Sequence, residues 1–340
     1  MQIGIVTPAP AGSTYGNRIT ATRWASILKR LGHQVSISQA YDDQALDVLI
    51  ALHARRSYQS IKRFHRKRPT LPIVVTLTGT DVYQDLARDE RTAQSLEWAT
   101  RIVALQPKAL HRLKPNLRAK ALVVFQSVEN RKRPKRKHRV GDVFVVTVIG
   151  HLRQVKDPFR AAQAARLLPN VSRIRIVQVG AAMTTAMAQR AQIEERNNSR
   201  YQWLGEVSRS RALTVLSKSD CCVVSSRMEG GANVMSEAIV AGVPVLASRI
   251  DGNTGILGVD YPGLFNVGDT KGLARLLREV ETNERFRENL HRRVKALAPL
   301  FEPKREERAW AELIDGLRPG LTPAVKTNRL VSGFVWSKVS

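Results

Sequence analysis

Acidic residues are scarce: 29 Asp and Glu stand against 55 Lys and Arg, a formal net charge of +26. Aromatics are few as well, at 6% of the 340 residues. A surface this basic suits nucleic acid, an anionic membrane face or small polyanionic substrates. Nothing resembles a helix-turn-helix, a zinc finger or a sheet with base-stacking aromatics, so nucleic acid is not expected as a partner. No apolar run approaches the ~20 residues that span a bilayer, which speaks against integral membrane association. The opening "MQIGIVTPAPAG" enters a strand with no charged-then-apolar leader, and the chain is expected to be soluble and cytoplasmic. The only cysteines, Cys221 and Cys222, are adjacent in "DCCVVSS" and read as reduced core residues, because neighbours on a strand face opposite ways. An acidic metal-binding pair in a suitable loop is also missing: "YDDQ" (41–44) precedes a strand and falls at the wrong end of a sheet. No metal and no cofactor are expected.

What is present is apolar alternation, with hydrophobic residues at 43%. Strand-like runs ("QIGIVTP", "HQVSIS", "LDVLIALH", "PIVVTLTGTD", "RIVALQ", "ALVVFQS") are separated by amphipathic helical stretches. After a basic, Pro-broken segment the pattern restarts with "VFVVTVIG", "RIRIVQVG", "YQWLGEV", "CCVVSS", "VPVLAS" and "GLFNV". Apolar strands alternating with helices indicate parallel sheets covered on both faces. The expected architecture is α/β, two doubly wound Rossmann-like domains facing across a cleft. The boundaries are an N-terminal domain over 1–128, a basic linker over 129–141, and a C-terminal domain over 142–302. A crossover helix over 303–316 and a tail over 317–340, read as poorly ordered, complete the chain.

Ligands of such sheets bind beyond the carboxyl ends of the strands. The stretch there that asks for explanation is "RMEGGANVMSEAIVAGVPVLAS" (227–248), where two acids, Glu229 and Glu237, flank a glycine pair and the start of a helix in an otherwise basic chain. The helix is expected to begin with Asn233 as N-cap and to end at Gly242. Gly230 and Gly231 allow close backbone approach, and the amides through Ala232, Asn233 and Val234 suit a phosphate or a sugar oxygen. Ionised carboxylates only accept, so each acid suits vicinal hydroxyls, one pair on a sugar ring and one on a ribose. In the first domain, Gly16, Asn17, Arg18 and Thr20 open the first helix, Thr78, Gly79 and Thr80 end a strand, and Gln126 and Ser127 end another. These are the candidate acceptor-binding residues. Arg18 has an alternative role along its own helix, Asp81 is expected to cap the turn after "TGT", and His53 and His151 each end a strand, where packing and catalytic roles are both open.

The acid pair, followed by "AGVPVLAS", resembles the donor site of GT-B-fold glycosyltransferases of the glycogen-synthase-like type, and "VIGHLRQVKDP" resembles their diphosphate-neutralising loop. The resemblance implies that Glu229 meets the donor sugar, that Glu237 meets the ribose, and that Lys156 and Arg153 stabilise the leaving diphosphate. Where that family usually carries Arg directly after the glycine, this chain has His151, which joins the donor-side set with Gly180. "YGNRITATRWASILKRLGH", "LTGTDVYQDL" and "ASRIDGNTGILGVDYPGLFNVGD" narrow the resemblance to the selenosugar synthases of selenoneine biosynthesis. That family implies transfer from a UDP-sugar such as UDP-N-acetylglucosamine to the selenium of selenophosphate. The alternatives are a peripheral-membrane glycosyltransferase with a lipid-linked or glycan acceptor, against which no amphipathic helix with an exposed aromatic and leucine face is found, and a nucleic-acid-binding protein, against which the complete donor loop speaks.

Overall fold

The structure, a computed structural model, describes residues 1–129 and 142–317. Most of the expected basic linker and of the expected tail lies outside these residues. The chain divides into two compact units, Met1–Ser127 together with the residues from Pro303 on, and Val128–Glu302.

The first unit runs β1 (Gln2–Val6), α1 (Gly16–Arg30), β2 (Gln34–Ser38), β3 (Val48–Leu52), α2 (Tyr58–Lys67) and β4 (Ile73–Leu77). A π-helical turn (Asp81–Asp85) follows, then α3 (Glu90–Trp98), β5 (Arg101–Ala104), a 3-10 turn (Pro107–Arg112), α4 (Pro115–Ala119) and β6 (Ala121–Val123). The six strands form a parallel sheet in the order β2-β1-β3-β4-β5-β6. β3 shows why its sequence is apolar throughout. Leu49 and Ala51 pack with Ile61, Phe64 and Leu96 on one face, while Val48, Ile50 and Leu52 pack with Trp24, Ile27 and Trp310 on the other. Successive side chains of a strand point to opposite faces, so a strand covered twice has no position for a polar residue. Each buried Val, Leu or Ile side chain contributes roughly 2 kcal/mol relative to exposure.

Part of the basic excess is locally paired. On α2, Ile61 and Phe64 are buried, while Arg63 and Lys67 turn outward to Asp43. Of the two acids of "YDDQ", Asp43 is thereby tied to arginine and lysine, while Asp42 accepts from the Gln44 side chain at 2.8 Å.

The second unit runs β7 (Phe144–Ile149), α5 (Arg160–Ala165), β8 (Ile174–Val179), α6 (Thr185–Asn197), β9 (Tyr201–Trp203), α7 (Arg209–Ser217) and β10 (Cys221–Val224). It continues with α8 (Asn233–Val240), β11 (Val245–Ser248), α9 (Asp251–Leu257), β12 (Leu264–Phe265), α10 (Thr270–Thr282) and α11 (Glu284–Leu297). Its sheet, also parallel, has the order β12-β11-β10-β7-β8-β9. Cys221 and Cys222 are both unoxidised and fully buried in it. Burial pushes both thiols up, that of Cys222 to about 12, which leaves them protonated at neutral pH.

The last helix, α12 (Pro303–Asp315), belongs to the first unit. Trp310 meets Trp24 of α1 with ring centroids 4.6 Å apart, and Arg30 of α1 pairs with Glu307 at 2.9 Å. Glu306 is buried beneath them, where its carboxylate accepts from Trp24 Nε1 at 2.7 Å and from the Ser127 amide at 2.9 Å. No helix among the described residues is long and apolar enough to cross a membrane.

Candidate active site

In an open parallel sheet the ligand crevice lies where the strand order reverses, outside the carboxyl ends. In the second unit that point is between β7, from which the chain winds out to β9, and β10, from which it winds the other way. A pocket stands there, lined among others by Gly150, Lys156, Gln178, Ser225, Glu229 and Val234. The two loops that form it are stitched together. The Ser225 hydroxyl lies 3.2 Å from the Lys156 carbonyl and 2.9 Å from that of Asp157, and the Arg227 amide donates to the Val155 carbonyl at 2.8 Å. Lys156 is thereby brought onto Glu229, and Lys156 Nζ and Glu229 Oε1 form an ion pair. Behind Glu229, a Cβ on Gly252 would stand 2.0 Å from the Glu229 carbonyl oxygen. Only glycine fits there, so Gly252, in the first turn of α9, lets that helix pack directly against the acid loop.

The helix after the acid loop starts one residue differently from the expectation. Ala232 is the N-cap and Asn233 the first helical residue, with no side-chain cap. Glu237, one turn in, is buried, and its Oε1 lies 2.7 Å from Arg209 Nη2. Arg209 opens α7, held by Ser208, whose hydroxyl accepts from the Arg211 amide at 3.3 Å. Sequence reasoning missed Arg209. It lies 28 residues before Glu237, and only the placement of α7 against β7 and α8 joins them. Both acids therefore face a cation. An anion bound nearby would compete for such cations, and an ionised carboxylate can only accept.

Two expected donor residues have other roles. Gly180 donates its amide to the Gly205 carbonyl at 2.8 Å, and its own carbonyl accepts from Trp203 Nε1 at 2.9 Å. Its φ is +139°, and a Cβ there would lie 2.2 Å from the Gly150 carbonyl oxygen. Its backbone N–H and C=O are thus used in joining strand ends. Arg153 is exposed and does not line the pocket, whereas Lys156 does. His151, half-buried, directly follows the pocket residue Gly150. Gly230 and Gly231 continue from Glu229 toward Ala232 and α8.

In the first unit the candidate residues separate into two groups. Thr20, Gln126 and Ser127 are buried in a network: the Thr20 hydroxyl donates to Gln126 Oε1 at 2.9 Å, Arg23 Nη2 to the same oxygen at 2.6 Å, and Ser127 to Glu306. Those groups secure α12. Thr78 and Gly79 give their amides to the Asp81 carboxylate, at 2.9 and 2.8 Å, and Ala54 adds a third at 3.1 Å. The amides of Thr78 and Gly79 are therefore engaged by the Asp81 side chain. The other group keeps exposure at the strand ends. Gly16 is exposed, Asn17 and Arg18 are half-buried in the first turn of α1, and Thr80 is half-buried beside His53. Among the described residues no group of three or more His, Cys, Asp or Glu could hold a metal ion.

Residues 129–296 match the family model of glycosyl transferases group 1. The glycosyltransferase 1 domain-containing protein 1 of Xenopus tropicalis is 23% identical over 274 residues, 74% of this chain and 79% of that protein. Among solved structures, the sucrose-phosphate synthase of Thermosynechococcus elongatus superposes with a TM-score of 0.75 at 16% identity, covering 93% of this chain and 98% of that one. The Anabaena protein HepE, solved with UDP and glucose, superposes with a TM-score of 0.71 at 14% identity, covering 92% and 99%. At these identities the likeness is one of fold, and that fold is GT-B.

Proposed function

We propose that this GT-B chain, whose second half matches glycosyl transferases group 1, is a cytoplasmic selenosugar synthase that moves a sugar from a UDP-sugar to the selenium of selenophosphate. The observation that carries the donor half is the pair Glu229 and Glu237, each held against a cation beside a pocket at the strand-order reversal of the second unit. HepE, of the same fold, has been solved with UDP and with UDP-glucose, which supports UDP as the carrier. The acceptor half rests on the sequence resemblance and on the basic composition, which favours a small anion.

In this reading Glu237 accepts from the ribose, Glu229 accepts from the sugar, probed most simply as N-acetylglucosamine, and Lys156 turns from Glu229 to the diphosphate. A selenium lone pair attacks the anomeric carbon, and the electrons of the carbon–oxygen bond leave with UDP. Water then cleaves the phosphorus–selenium bond and releases phosphate. Selenium is already nucleophilic, so no general base is required for the attack. Lysine and the start of α8 meet the leaving charge, a role a metal would otherwise fill. Neither nucleic acid nor a membrane is needed as a partner.

The test is UDP release by the full-length protein from UDP-N-acetylglucosamine, with and without selenophosphate and with a chelator in both arms. Release should depend on selenophosphate and ignore the chelator, and the product should carry selenium by mass. Release that ignores selenophosphate but rises with a lipid-linked or glycan acceptor would instead support the membrane-peripheral enzyme.

A further inference from the structure

The first unit has its own strand-order reversal, between β1 and β3, and the residue directly after β3 is His53. Its backbone is left-handed, with φ +74°, where a side-chain-bearing residue is rare. Such conformations persist where the surroundings hold them, and they concentrate at functional positions. Here the surroundings are explicit. His53 is 3% exposed, its Nδ1 accepts from the Arg56 amide at 3.4 Å, and its Nε2 lies 2.9 Å from Thr80 Oγ1. Asp81 Oδ2 is 3.8 Å from Nδ1, beyond hydrogen-bond length, and that carboxylate already serves the amides of Ala54, Thr78 and Gly79.

These contacts favour one tautomer. A ring nitrogen that accepts an amide proton carries none of its own, so the neutral imidazole holds its proton on Nε2 and gives it to Thr80 Oγ1. The Thr80 oxygen, having accepted, keeps its own proton to donate, and a donor polarised in this way is strengthened. Among the described residues the Thr80 hydroxyl has no hydrogen-bond partner other than His53, and Thr80 is half-buried at the strand ends. Burial keeps the ring neutral by lowering its pKa; Asp81 opposes this, Arg56 adds to it, Asp85 opposes it and Arg55 adds to it.

Resting on the reading of this unit as the side of an anionic acceptor, we infer that Thr80 is the hydroxyl that donates to an acceptor oxygen. His53 is the positioning residue that keeps the Thr80 proton turned outward. The inference assigns an acceptor contact to a side chain in a loop whose amides are committed elsewhere, and it gives the strained histidine a purpose other than proton abstraction.

The experiment is a substitution series on the full-length enzyme, reading the selenophosphate concentration for half-maximal rate, the maximal rate, UDP affinity and the melting temperature. Thr80→Val should raise the half-saturating selenophosphate about tenfold or more, the scale of one hydrogen bond to a charged group, and leave UDP affinity unchanged. His53→Asn tolerates the left-handed backbone, but its amide ends where Nδ1 stood, short of Thr80, and it should give the same rise. His53→Gln reaches the Nε2 position with an N–H and should restore saturation toward wild type. The double variant His53→Asn, Thr80→Val should be no worse than Thr80→Val alone, because the two act as one unit. The inference is overturned if the two single effects add, if neither variant changes saturation, or if His53→Gln saturates no better than His53→Asn while melting like wild type. If wild type ignores selenophosphate but turns over another acceptor, the selenium reading falls. The same series against that acceptor then decides for or against the His53–Thr80 pair.

Discussion

Lys156→Ala slows turnover at saturating UDP-sugar about ten- to a hundredfold, the rate equivalent of a charge-assisted hydrogen bond of roughly 1.5–3 kcal/mol made mainly in the transition state. Two effects oppose each other in this variant. Without ligand, Lys156 is spent on Glu229, whose side chain is only 10% exposed, so its removal frees an acid that can then receive a sugar hydroxyl. Donor affinity therefore has little reason to fall. In the proposed transfer, however, negative charge accumulates on the departing diphosphate, and the pocket loses the one cation among its described lining residues. The second effect governs the rate. Steady-state kinetics should show a lowered kcat with a nearly unchanged donor KM. A kcat within about twofold of wild type would remove Lys156 from the chemistry.

Glu306→Ala should be the most damaging stability variant. Its carboxylate is fully buried and accepts from Trp24 Nε1 at 2.7 Å, Arg23 Nε at 3.3 Å and the Ser127 amide at 2.9 Å, with the Ser127 hydroxyl as a fourth donor. Removing the acid leaves a largely buried guanidinium and several N–H and O–H groups without an acceptor, a loss of about 3–5 kcal/mol. Glu306→Gln keeps an acceptor oxygen and should lose less. Urea unfolding followed by tryptophan emission is the suitable readout, since Trp24, which donates to this acid, meets Trp310 at a tilt with ring centroids 4.6 Å apart. A change under about 1 kcal/mol would mean that α12 is held by apolar packing alone.

The alternation of buried strands and amphipathic helices was legible because a doubly covered strand must be apolar along its length, as β3 is. The acids Glu229 and Glu237 stood out in the sequence because carboxylates beside a glycine pair and a helix start have few structural reasons to be there, whereas Lys156 was singled out only by the resemblance of its loop. Less legible was whether a polar group at a strand end is free. Thr78 and Gly79 looked like open amides, yet Asp81, two or three residues on, folds back onto both. Gln126 and Ser127 looked like rim residues, yet their partners are Thr20 and Arg23, over 100 residues earlier, and Glu306, 179 residues after Ser127. Arg209 escaped notice because a basic residue in a basic chain carries no signal until the helix that holds it is placed. His53 was noticed as a strand-end histidine, but its backbone conformation cannot be read from residue type.

The most direct measurement is calorimetric titration of UDP into the wild-type protein and into the Glu237→Ala and Glu229→Ala variants. If the two acids divide the donor between them, wild type binds UDP, Glu237→Ala weakens that binding about tenfold or more through the lost ribose contact, and Glu229→Ala leaves it within about twofold, since UDP has no sugar for Glu229 to meet. Equal losses in the two variants, or no UDP binding by the wild type, would contradict the account.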